Sequence, residues 1–240
     1  MSTGRILLIT GWGVGATALI PLQSALQQQG HQVQLFDFFD AEQDIYCAAQ
    51  TADLIVGWSL GGQLAIWCAA RLYQDTQTAP KIMTLASNPC FVAKENWPYA
   101  MSVEQFFQFK TQFNDHPAQT LKQFYFNICR GEAQLKAAAF TLQSHVTTPP
   151  FDALQHGLSL LETINALQTL EFPITSHHLF ASNDTLVPSQ VQHALKQVIL
   201  SPRLTTATMS NVSHAFPVLH PHATADAIHA FLQQEHQIFD

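Results

Sequence analysis

Charge is scarce in this chain. Only 11% of its 240 residues are Asp, Glu, Lys or Arg, and acids outnumber bases to a formal net charge of −7. Such a chain offers no generic attraction to nucleic acid or to an anionic membrane surface, so neither is expected as a partner. Cysteine is sparse too: Cys47, Cys68, Cys90 and Cys129 are widely spaced, with no C-x-x-C pair. That spacing argues against a zinc site or a disulfide framework and fits reduced thiols serving as small buried apolar residues, as in a cytoplasm. No H-x-x-x-H pattern stands beside an acidic partner in a helix, so no metal is expected. Long apolar runs are missing at the start of the chain. Arg5-Ile6-Leu7-Leu8-Ile9-Thr10, ended by Gly11, is too short to span a membrane, and no small-residue cleavage site follows it. It reads as a first core strand rather than a targeting segment, and a cytoplasmic location is expected.

What the chain does have is apolar mass in an alternating order. Hydrophobic residues make up 47%, enough for one large core or for a domain with an insertion. Strands are predicted at residues 5–10, 32–38, 54–56 and 82–86, with helices at 19–29, 40–52 and from Gln63 to Arg71. Strands separated by helices require crossovers, which gives an α/β fold with a mostly parallel sheet covered on both faces. Ligands of such sheets sit beyond the C-terminal strand ends. Residues 91–170 differ. They contain no β-rich run, and Leu121, Phe124, Tyr125 and Ile128 follow helical spacing, as do Leu135, Ala139, Leu142 and Val146. A helical cap over 91–170 is therefore expected, inserted in a core made of 1–90 and 171–240. The cap is rich in phenylalanine. Most of these rings pack the cap on the core, and the surplus would make an apolar acyl-chain pocket, with Phe106 and Phe124 as candidate substrate-side residues. Strands at 174–182 and 203–209 then resume the pattern, with helices at 190–199 and 223–234.

Gly57-Trp58-Ser59-Leu60-Gly61 lies between the strand at 54–56 and the helix that follows. A G-x-S-x-G sequence is loose by itself, but a strand–turn–helix setting holds the serine hydroxyl at a sheet edge beside a helix N-terminus, where negative charge is favoured. Ser59 is thus a candidate nucleophile. A serine hydroxyl is a poor nucleophile until an imidazole takes its proton, and a carboxylate must fix that imidazole's tautomer and stabilise its cation. His214, just past the strand at 203–209, and Asp184, just past the strand at 174–182, supply base and acid in the order Ser, Asp, His. A lone Asp in a loop is more often a turn residue or a helix cap; Asp37 and Asp40 are the fallback acids. Among the other histidines, His177 and His178 fall within a strand and His220 and His222 at the start of the last helix. His31, His116, His145, His156, His193, His229 and His236 read as exposed or ordinary positions. The N–H groups of Leu60 and Trp12 are the expected oxyanion donors, and the Trp12 side chain is free to wall the acyl pocket.

These residues give the chain a specific likeness. The Gly11-Trp12-Gly13 turn, the elbow through Gly62, the stretch Ala86-Ser87-Asn88-Pro89-Cys90-Phe91 running on to Trp97-Pro98, the pair Gly157-Leu158, and the Asp184 and His214 loops together resemble the pimeloyl-acyl-carrier-protein methyl ester carboxylesterases of biotin synthesis, which are α/β-hydrolases. The resemblance covers nearly the whole chain. It implies hydrolysis of the methyl ester on a pimeloyl group borne by acyl-carrier protein, with Ser59, Asp184 and His214 catalytic, Trp12 and Leu60 holding the oxyanion, and no cofactor. A monomer is expected. The chain departs from the family in lacking the antiparallel hairpin before the first strand, in carrying Thr10 where a histidine usually stands, and in replacing several cap arginines with Gln119, Lys122, Gln123 and Lys136, with Arg130 between. Carrier recognition by charge is correspondingly thin. A general short-chain carboxylesterase or thioesterase is the alternative reading. A C–C bond hydrolase and a non-catalytic binding protein on the same fold stand behind it.

Overall fold

The computed structural model describes residues 3–234. Strands β1 (Arg5–Ile9), β2 (Gln32–Phe36), β3 (Leu54–Trp58), β4 (Lys81–Leu85), β5 (Ser176–Ala181) and β6 (Leu204–Met209) form one sheet in the order β2-β1-β3-β4-β5-β6. Every neighbouring pair is parallel. Side chains alternate across such a sheet, and both faces must be covered when helices make the crossovers. Ile6, Leu8, Leu54, Val56, Met83 and Leu85 accordingly pack on one face, and Leu7, Ile9, Ile55 and Ile82 on the other. The first face is closed by α1 (Ile20–Gln28) and α10 (Pro221–Gln233), the second by α2 (Glu42–Ala49), α3 (Leu60–Thr76) and α8 (Gln190–Val198).

Between β4 and β5 lie α4 (Val103–Asp115), α5 (Pro117–Ile128), α6 (Leu135–His145) and α7 (Phe151–Thr163). Helix α4 starts on a capping box in which the Ser102 hydroxyl accepts from the Gln105 N–H and the Gln105 side chain accepts from the Ser102 N–H. The chain leaves β4 through the Ser-Asn-Pro-Cys-Phe stretch, which forms a buried clasp. Asn88 Oδ1 accepts from Trp97 Nε1 at 2.8 Å, its amide donates to the Tyr99 carbonyl, and Gln63 donates to the Asn88 and Pro89 carbonyls. That clasp fixes where the inserted helices begin relative to the sheet.

The structure corrects several expectations. Helix α3 begins at Leu60 and runs to Thr76 because Ser59 itself is the N-cap. Helix α2 is shorter than 40–52, since Asp40 Oδ2 accepts from the Asp37 N–H and closes a turn before it. The helix expected at 19–29 is preceded by a 3-10 turn, Ala16–Leu19. Cys47 is exposed on α2, whereas Cys68, Cys90 and Cys129 are buried; burial pushes those three thiols up to about 12, 11 and 12, so they stay protonated. His31 is buried rather than exposed. It accepts from the Gly4 N–H and pairs with His229 at 2.9 Å. His236 lies outside the described residues. A four-residue helix not expected from the sequence, α9 (Phe216–Leu219), separates β6 from α10.

Candidate active site

The turn after β3 carries Ser59 at φ 55° and ψ −119°, a conformation that costs a side-chain-bearing residue on the order of 1–3 kcal/mol and survives only where its surroundings enforce it. They do so here. Ser59 N donates to the Leu85 carbonyl at 2.9 Å, and the Ser59 carbonyl accepts from Ser87 Oγ at 2.7 Å and from Gly62 N at 2.9 Å. A Cβ on Gly57 would overlap the Gly61 carbonyl oxygen, so only glycine lets the strand and α3 approach this closely.

His214 follows β6, and Asp184 follows β5. His214 Nδ1 lies 2.8 Å from Asp184 Oδ2, and both side chains are 1% exposed. The other carboxylate oxygen accepts from Leu186 N at 2.8 Å and Val187 N at 3.0 Å, so Asp184 is a turn residue as well as the partner of the imidazole. A carboxylate only accepts, which places the imidazole proton on Nδ1 and leaves the lone pair on Nε2. That Nε2 is buried and makes no hydrogen bond among the described residues. Trp58, the residue before Ser59, donates its indole N–H to the His214 carbonyl at 3.0 Å, tying the His214 loop to the strand that leads into Ser59. Asp37 and Asp40 are engaged elsewhere, with Thr10 and with each other's turn; burial, then Asp40, pushes the Asp37 carboxyl up.

The turn after β1 lies over the serine: a Cβ on Gly11 would sit 3.0 Å from Ser59 Cβ. The backbone N–H groups of Trp12, in this turn, and Leu60, at the first position of α3, have no acceptor among the described residues. Trp12 is 3% exposed; its indole donates to the Leu154 carbonyl of α7 at 2.8 Å, and its ring meets Phe109, Phe113 and Phe124 edge-on at 5.4, 5.5 and 4.9 Å. Tyr125 adds a hydrogen bond to the Gly13 carbonyl. The inserted helices therefore grip the turn that carries one of the two free donors.

The two phenylalanines singled out in the sequence part company. Phe106 is 4% exposed and faces the apolar core. Phe124, half-buried against Trp12, lines a cavity of about 310 Å³ with Phe109, Gln112, His116, Thr120 and Gln123. A second cavity, about 470 Å³, shares Phe109 and Gln112 and runs to Thr185, Leu186 and Pro188, beside Asp184. Neither lining contains Asp, Glu, Lys or Arg. A larger hollow of about 1080 Å³ opens at the opposite edge of the sheet, between Asp53, Lys81 and Arg203, away from all of these groups. Among the described residues no cluster of three or more His, Cys, Asp or Glu is arranged to hold a metal ion. Sequence reasoning missed Ser87 and the Trp58 indole. Both sit inside motifs it had singled out, the first in the Ser-Asn-Pro-Cys-Phe stretch and the second as the variable residue of G-x-S-x-G.

No family model matches the chain. It is 30% identical over 249 residues to the pimeloyl-[acyl-carrier protein] methyl ester esterase of Xanthomonas campestris pv. campestris, covering 95% of this chain and 94% of that protein. It is also 30% identical over 196 residues to the biotin biosynthesis bifunctional protein BioHC of Teredinibacter turnerae and over 217 residues to that of Cellvibrio japonicus. The match spans 33% and 41% of the length of those two proteins. Among solved structures, a bromoperoxidase from Bacillus anthracis superposes with a TM-score of 0.76 at 15% identity, covering 97% of this chain and 93% of that one. An esterase from Exiguobacterium antarcticum superposes with a TM-score of 0.76 at 10% identity, over 98% and 94%. At those identities the likeness is one of fold.

Proposed function

The chain has the α/β-hydrolase fold and belongs to the pimeloyl-[acyl-carrier protein] methyl ester esterase family, and on that premise we propose that it is a serine carboxylesterase cleaving the methyl ester of a pimeloyl group carried on acyl-carrier protein in biotin synthesis. The observation that carries the proposal is the His214–Asp184 pair, with Nδ1 committed to the carboxylate and Nε2 left as a buried lone pair. In the proposed reaction His214 Nε2 takes the Ser59 hydroxyl proton as Oγ attacks the ester carbonyl. The Trp12 and Leu60 N–H groups hold the resulting oxyanion, while Asp184 stabilises the imidazolium. As the tetrahedral adduct collapses, His214 returns the proton to the departing methoxide, which leaves as methanol. Water, deprotonated by the same nitrogen, then attacks the acyl-serine; His214 returns that proton to Ser59 Oγ as it departs, and the released acid ionises to a free carboxylate. Each proton moves between oxygen and Nε2, so no cofactor enters the scheme.

The partner in this reading is the carrier protein, and the enzyme acts as a monomer in the cytoplasm. No helix among the described residues is long and apolar enough to cross a membrane. The inserted helices serve as the cap under which the acyl chain lies, with Phe124 and Phe109 at its wall. One observation favours the second reading, a general short-chain esterase: the cavities along the inserted helices are lined by carboxamides, hydroxyls, one imidazole and apolar groups, with no Lys or Arg to meet an acidic carrier.

The test is methanol release from the carrier-bound methyl ester by the purified protein, beside a simple short-chain ester and the Ser59→Ala variant. We expect preference for the carrier-bound ester and a loss of kcat in Ser59→Ala on the order of 10⁴- to 10⁶-fold. Equal or better turnover of the simple ester selects the general esterase, and normal turnover in Ser59→Ala removes Ser59 from the mechanism.

A further inference from the structure

The loops that carry the acid and the base are not held by the sheet alone. Each is also fastened to one turn of the inserted helices, at residues 127–132, where α5 ends. The residue before His214 donates its backbone N–H to Glu132 Oε1 at 2.8 Å, and the residue after it donates to the Ile128 carbonyl at 3.0 Å. On the acid's side, Asn183 Nδ2 donates to the Gly131 carbonyl at 2.9 Å and Thr185 Oγ1 donates to the Asn127 carbonyl at 3.3 Å. The neighbours of His214 and of Asp184, on both sides of each, are thus bonded to a single stretch of six residues. The approach is close. Gly131 has φ 109°, and a Cβ there would overlap the Asn183 carbonyl oxygen, so the turn reaches the acid's loop only with glycine at this position.

Glu132 is the side chain of this turn that hydrogen-bonds the His214 loop among the described residues. Its side chain is 11% exposed, and its second oxygen faces His220 Nε2 at 3.3 Å, at the N-cap of α10. It therefore spans the loop from Ser213 to His220 and fixes the backbone that aims the His214 ring. It is not a competing acid, because its oxygens meet Ser213 and His220 rather than the His214 imidazole.

We propose that Glu132 is a positioning residue for the base: with the α5–α6 turn it holds the His214 and Asp184 loops in register, so that the inserted helices help set the geometry of the catalytic groups. Small errors in that geometry are expensive, because proton transfer from Ser59 demands hydrogen-bond reach and alignment. The inference rests on the triad proposed above but not on its substrate, so it is tested with p-nitrophenyl acetate, which needs no carrier.

Removing the carboxylate in Glu132→Ala is expected to lower kcat about 10- to 100-fold with KM changed less than about twofold, the signature of a lost alignment rather than a lost binding contact. In Glu132→Gln the amide oxygen still accepts from the Ser213 N–H, and kcat should stay within about threefold of the parent, whereas Glu132→Asp, a methylene shorter, should lose about tenfold. Unchanged kcat in Glu132→Ala, with or without a lower melting temperature, overturns the proposal. So does a KM that rises in step with the fall in kcat, or a Gln variant as slow as the Ala variant. Should Glu132→Ala fail to fold, the Asp and Gln variants decide alone, and equal kcat in those two overturns it. Ser59→Ala run alongside separates the two ideas: turnover surviving there sinks the triad itself, while its loss together with a fully active Glu132→Ala sinks only the positioning role.

Discussion

The placement of one proton governs what His214 is able to do. Asp184 accepts at Nδ1 and so leaves the lone pair on Nε2, the nitrogen that takes the Ser59 proton in the proposed mechanism; a carboxamide in its place presents an NH₂ to the same nitrogen and drives the proton to Nε2. Asp184→Asn should therefore leave the fold intact and cut kcat by about 10⁴-fold through the wrong tautomer. Steady-state rates on a simple ester check this, and an unaffected rate would move the acid elsewhere, to Asp37 or Asp40 first. This pairing is foreseeable from the chain because loop order after parallel strands brings particular residues to one edge. Trp58 and Glu132 are not foreseeable in the same way. Each contributes one hydrogen bond to the backbone around His214, and no spacing rule links residue 132 to residue 213. Trp12 shows a different gap. Its backbone role follows from its place in the first turn, but the bond from its indole to the Leu154 carbonyl depends on where α7 docks, which periodicity does not give.

Strands β4 and β5 are joined by more than their ladder. Thr84 and His178 meet at 2.8 Å across them, while His178 Nε2 is buried with no hydrogen-bond partner among the described residues, and burial pushes that imidazole down to about 3. Burial shifts His31 and His177 in the same direction. An unfolded chain takes up these protons near pH 6.5, whereas the folded chain resists them. The contribution of His178 is full above that pH and is lost as pH drops from 6.5 toward 3, by up to roughly 1.4 kcal/mol per unit, and His31 and His177 act with the same sign. Thermal melts at pH 7 and pH 5 should show this. His178→Leu, which leaves the Thr84 hydroxyl unpaired, should be less stable at pH 7 yet lose less between the two conditions; an unchanged slope would clear His178 of the effect. The strands and their parallel sheet are legible in the sequence because apolar runs alternate with helical stripes. Helix α4 is not, because it carries apolar side chains on both faces: Phe106 and Phe113 are buried while Val103 and Phe107 are 65% and 68% exposed. Element ends are hidden for a related reason. The start of α3 is set by the strained turn at Ser59, and the start of α2 by the bond between Asp37 and Asp40, both tertiary or local polar effects that hydropathy does not register.

Over the whole molecule the charge is −7, and the cavities along the inserted helices have no Asp, Glu, Lys or Arg in their lining. An acidic carrier would be repelled at long range and met at short range by carboxamides. On the proposed function, KM for the carrier-bound ester should change less than about threefold between about 0.05 and 0.5 M salt, because there is little attraction for salt to screen. A steep rise with salt would instead assign the docking to Lys122, Arg130 and Lys136. The order of the strands has another consequence, in time rather than in space. Ser59 and Trp12 come from the first half of the chain, the helices that grip the Trp12 turn from its middle, and Asp184 and His214 from loops after the strands laid onto the sheet's β4 edge last. A ribosome presenting only the earlier segments displays Ser59 without His214. Under the proposed mechanism, hydrolytic competence then arrives in a single late event, when the loop beyond β6 clears the exit tunnel and docks, and a stalled nascent chain is chemically silent.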